Sequence, residues 1–102
     1  MRPDFDDPEL FRRLDEAAIE WLDGRTCEVM LDQNLAKWLV QEARRRPMPE
    51  AEVQPYIDQI PNFGHEPITI FAGLRTIDDG SHRVNAVAAS GRAYVAIIHV
   101  TG

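Results

Sequence analysis

The sequence predicts an α/β (α+β) domain, a small mixed sheet with packed helices plus one extra N-terminal helix. Two observations carry that prediction. Apolar residues recur at helical spacing in four segments, and short β-branched runs separate them. After the leading helix the signals follow the order β-α-α-β-β-α-β, an alternation that layers helices on a sheet. The 102 residues suffice for one domain with one core, and 44% apolar with 27% charged residues is an ordinary globular balance.

The leading helix is predicted over residues 7–24. Asp7 is the N-cap candidate, Pro8 takes the first helical position, and Glu9 places an acid in the first turn. Leu10, Phe11, Leu14, Ala18, Trp21 and Leu22 share a face, and Gly24 offers a left-handed stop. Thr26–Leu31 reads as a short strand. Asp32 caps a second helix, whose Leu35, Trp38, Leu39 and Ala43 share a face. Arg44-Arg45-Arg46 closes that helix against the negative end of its dipole, and Pro47 and Pro49 break the chain.

Residues 50–60 form a third helix on Val53, Tyr56, Ile57 and Ile60, with Pro55 either kinking it or marking its start. Pro61-Asn62-Phe63-Gly64 is a loop. Ile68–Phe71 and residues 74–77 make a hairpin across Ala72-Gly73. Ser81–Ser90 is a helix that turns Val84, Val87 and Ala88 to the core and stops at Gly91. Residues 94–100 form a β-branched, interior strand.

Several function classes are set aside at this level. No apolar run is long enough to cross a bilayer. The acidic, proline-broken start at Met1 lacks the basic and apolar regions of a secretory signal. Cys27 has no partner for an internal disulfide and reads as a buried, reduced thiol. These features predict a cytoplasmic protein. The net charge of −6 argues against autonomous DNA binding, which needs a basic surface. His65, His82, His99 and Cys27 lack zinc-site spacing, so no metal site is predicted.

The segment Ile77-Asp78-Asp79-Gly80-Ser81-His82-Arg83 joins a strand to a helix. A helix N-terminus presents unpaired N–H groups and a partial positive charge, both suited to phosphate. Gly80 lets the backbone approach closely, Ser81 adds a hydroxyl, and His82 and Arg83 add donors. A plainer account has Asp79 or Ser81 capping the helix, with His82 and Arg83 on the surface.

Gly80-Ser81-His82-Arg83-Val84-Asn85-Ala86 resembles the G-x-x-R-x-x-A motif of ParB-like domains, and Asp79 to Val84 resembles their D-G-x-H-R-[LV] run in phages and bacteria. Arg46-Pro47-Met48-Pro49-Glu50 with Val53 is similar to the N-R-P-L-S-x-x-x-V stretch of that family, and Pro67-Ile68-Thr69-Ile70 to its P-I-x-[IV] strand. The resemblance implies a ParB/sulfiredoxin-like fold over residues 26–102, with residues 1–25 as a helical extension. It implies a site of Asp79, Gly80, Ser81, His82, Arg83 and Arg46 around a nucleotide such as CTP or ATP with Mg2+. Ser81 stands where sulfiredoxins carry a reactive cysteine, which argues against sulfinic-acid reduction. No helix-turn-helix follows, so centromere-type DNA binding is not expected.

Two functions remain in view. One is nucleotide or phosphate binding by residues 80–83; kinase or hydrolase chemistry would further need a base and magnesium, with Glu28, Asp78 and Asp79 the available acids. The other is a small acidic protein-interaction or inhibitor protein, of a kind frequent in phages, that keeps the fold without chemistry. In that reading Asp15, Glu16 and Glu20 on the leading helix could dock a protein partner.

Overall fold

The computed structural model describes residues 8–43, 48–64, 66–71 and 76–101. Four described helices and one five-stranded sheet make up a mixed α/β architecture. In chain order the elements are α1 (Pro8–Ala17), β1 (Ala18–Leu22), β2 (Thr26–Leu31), α2 (Gln33–Glu42) and α3 (Glu50–Ile57). A 3-10 turn at Ile60–Asn62 leads to β3 (Ile68–Phe71), β4 (Thr76–Asp79), α4 (Ser81–Ser90) and β5 (Tyr94–Thr101). The sheet runs β1-β2-β5-β3-β4, with β5 parallel to β3 and the other neighbours antiparallel. The predicted interior strand is thus the central one.

The predicted helix over residues 7–24 is corrected in its second half. It ends at Ala17, and Ala18–Leu22 forms a strand paired with β2. Asp23 and Gly24 both take positive φ, 45° and 74°, as the tight turn between those strands. Asp-Gly is a preferred pair for such a turn. Apolar residues at 18, 21 and 22 suit either element, because Trp21 opposite Cys27 reaches the core side of the strand just as it would on a helix. Gly24 therefore turns a hairpin rather than ending a helix. The N-cap assigned to Asp7 lies outside the described residues.

The second helix forms as expected, with the Asp32 carboxylate accepting from the Leu35 N–H at 2.9 Å. Arg44, Arg45, Arg46 and Pro47 lie outside the described residues. The third helix stops at Ile57 rather than Ile60, and the expected loop at 61–64 begins as the 3-10 turn. Pro55 sits inside α3, where its missing N–H leaves one helical bond unmade. The β3–β4 hairpin is present, but β4 runs over Thr76–Asp79 instead of 74–77, so Asp78 and Asp79 belong to the strand. Leu74, Arg75 and the turn at Ala72-Gly73 lie outside the described residues. Helix α4 has the expected bounds and ends on left-handed Gly91.

One core joins the layers. Leu10 and Leu14 of α1, Leu35 and Leu39 of α2, Val53 of α3 and Val84 and Val87 of α4 pack on Val29, Leu31, Ile68, Ile70, Ile77 and Ile98. Cys27 is fully buried among them. No described helix is long and apolar enough to cross a membrane.

Candidate functional site

The β4–α4 junction is built by close backbone packing. Gly80 is the N-cap of α4 at φ 98°, a left-handed conformation that glycine adopts without strain. A Cβ there would lie 2.9 Å from Ile68 Cγ1 and 3.0 Å from Arg83 Nη2. Glycine is thus demanded by the approach of β3 and by the Arg83 side chain, whether or not a ligand binds.

Arg83 is placed differently from the expectation of an outward phosphate ligand. It is buried, 7% exposed, and points into the protein. Its Nη1 donates to the Glu66 carbonyl at 2.6 Å and its Nη2 to the Pro67 carbonyl at 3.1 Å. Asp79 Oδ2 lies 3.7 Å from Nη2, on a side chain open to solvent. The guanidinium fork ties the first turn of α4 to the segment entering β3, a geometry suited to two parallel acceptors. Beside it the Tyr94 hydroxyl is buried and, among the described residues, makes no well-formed hydrogen bond. Burial pushes the Tyr94 pKa up, and the neighbouring Arg83 charge opposes that rise.

His82 is part-exposed but makes two contacts. Its ring stacks on Tyr56 at 4.7 Å, and Nε2 lies 3.1 Å from Glu52 Oε1. Ser81 is buried at 9% exposure, and the Asn85 side chain donates to its carbonyl at 2.8 Å. No described side chain caps α4. The first-turn N–H groups of Ser81, His82 and Arg83 are those a helix leaves without internal partners. An open groove of about 310 Å³, lined by Tyr56, Gln59, Asn62, Phe63, Glu66 and Arg83, lies alongside.

The structure therefore brings Asp79, Gly80, Ser81, His82 and Arg83 together. Arg46 lies outside the described residues, as does His65. Sequence reasoning missed Glu52, Tyr56, Tyr94 and the 66–67 carbonyls. They lie far away in sequence, and carbonyl acceptors carry no residue signature. His99, in β5, has Nδ1 2.7 Å from Thr26 Oγ1 and takes no part in the site. Among the described residues no group of three or more His, Cys, Asp or Glu side chains gathers to hold a metal. No family model, curated protein or solved structure matches this chain.

Proposed function

We propose that this chain binds the phosphates of a nucleotide at the N-terminal end of α4, through main-chain amides. The observation that carries the reading is the uncapped start of α4, opening beside the groove that Arg83 lines. Unpaired amides and the helix dipole both favour an anion there. Tyr56, Gln59 and Asn62 along the groove offer a stacking face and amide groups for a base. The similarity of residues 80–86 to the ParB-like motif points the same way.

Arg83 holds the loop in shape in this reading, and the amides meet the ligand. Glu52, Asp79 and Glu66 surround the site with acid, which repels a bare polyphosphate. Magnesium, by reducing the ligand's charge, strengthens binding. The test is a thermal-shift titration with CTP, ATP, GTP and pyrophosphate, each with and without Mg2+. A ligand at about 100 times its Kd raises stability by about 2.7 kcal/mol. Glu52→Gln should enlarge the shift and His82→Glu should remove it. No shift with any ligand contradicts the reading.

The second reading is an interaction protein without chemistry. One observation favours it: the guanidinium that the motif would aim at phosphate is spent on two carbonyls. A silent titration with a stable wild-type fold selects it.

A further inference from the structure

We infer that the open face of the sheet docks a protein partner through a basic amphipathic helix laid across β2 and β5. This inference stands apart from the α4 site.

The helices and the core lie on one side of the sheet. Cys27, Val29 and Leu31 of β2, and Ala96, Ile98 and Val100 of β5, are at most 4% exposed on that side. Alternate residues face away. The register sets Met30 against Val95, Glu28 against Ile97, and Phe71 against Thr101. No described element covers this face, and Met30 and Val95 are 43% and 39% exposed. The strip of Met30, Val95 and Ile97 is thus an apolar patch that no described element covers.

Charge identifies the occupant. None of the residues in the five strands is Lys or Arg. Glu20 of β1 stands directly opposite Glu28 of β2, beside Ile97. Like charges directly opposite across a strand pair are destabilising. Among the described residues neither is matched by a cation. A helix with an apolar stripe flanked by Lys or Arg would cover Met30, Val95 and Ile97 and relieve the Glu20–Glu28 repulsion together. A second copy of this chain would instead bring the same acids to the same strip.

The probes are three fluorescent model helices of about 18 residues, with one shared leucine face and polar faces of Lys, Gln or Glu. Anisotropy is read with the full chain at low and high salt. The Lys helix should bind at least about tenfold more tightly than the Gln helix, a preference that salt screens, and the Glu helix should not bind. Glu20→Gln with Glu28→Gln should erase that preference, whereas Glu50→Gln with Asp58→Asn, on exposed positions of the helical side, should leave it intact. Val95→Asp should abolish binding. Equal binding of the Lys and Gln helices, or a preference lost equally in the Glu50/Asp58 variant, overturns the basic partner. A dimer in sedimentation that Val95→Asp dissolves would put a second copy on this face and overturn it too.

Discussion

The Arg83 guanidinium donates to the Glu66 main-chain carbonyl at 2.6 Å, across 17 residues of sequence. With the second bond, to Pro67, it fastens the start of α4 to the start of β3. Arg83→Ala should therefore destabilise the fold by about 1.5–3 kcal/mol, the range for hydrogen bonds involving a charged group. Arg83→Lys should recover only part, since an ammonium lacks the planar fork. Urea denaturation reads both; an unchanged midpoint for Arg83→Ala would mean that the side chain is a free surface ligand.

Gly80→Ala should also be destabilising, by about 1–2 kcal/mol for the left-handed backbone alone. Contact with Ile68 Cγ1 at 2.9 Å adds to that loss. Gly64, also at positive φ but with nothing near its Cβ position, should show only the backbone part when changed to alanine. Comparing the two variants by thermal denaturation separates strain from crowding.

Much of this architecture was legible in the sequence because local chemistry and tertiary packing agree. Asp32 caps α2, Gly91 ends α4, and Ile68–Phe71 forms a strand at the expected bounds. The hairpin at Asp23-Gly24 was hidden because Ala18, Trp21 and Leu22 satisfy a helical and a strand pattern alike. The site loop was legible as a loop, but the direction of Arg83 was not. Its acceptors are main-chain oxygens brought near by the β3–β5 and β3–β4 pairings, and composition holds no trace of them.

Stability should fall at alkaline pH. Burial, reinforced by the charge of Asp15, pushes the Cys27 thiol up to about 11 from the usual 9.0. The folded protein keeps that proton where the unfolded chain has released it. The contribution is whole below about pH 9 and declines toward pH 11, by about 3 kcal/mol. Tyr94, also raised by burial, adds loss in the same direction. The fall in urea midpoint from below about pH 9 to near pH 11 should be smaller in Cys27→Ala than in the wild-type chain, with the Tyr94 part left; an equal drop in the variant would assign the loss elsewhere.

Tyr94→Phe removes a buried hydroxyl that makes no well-formed hydrogen bond among the described residues. Without ligand the change should be neutral or stabilising by about 1 kcal/mol. A destabilised variant in the absence of ligand would show that the hydroxyl is already satisfied within the fold.

The central claim concerns three amides, and NMR observes them directly. In a titration of the 15N-labelled chain with ATP and Mg2+, the Ser81, His82 and Arg83 N–H signals should move furthest, downfield as they begin to donate to phosphate. Smaller changes should follow at Tyr56 and Asn62 along the groove. Saturating nucleotide that leaves those three amides in place, or moves only signals remote from α4, would contradict phosphate binding at this site.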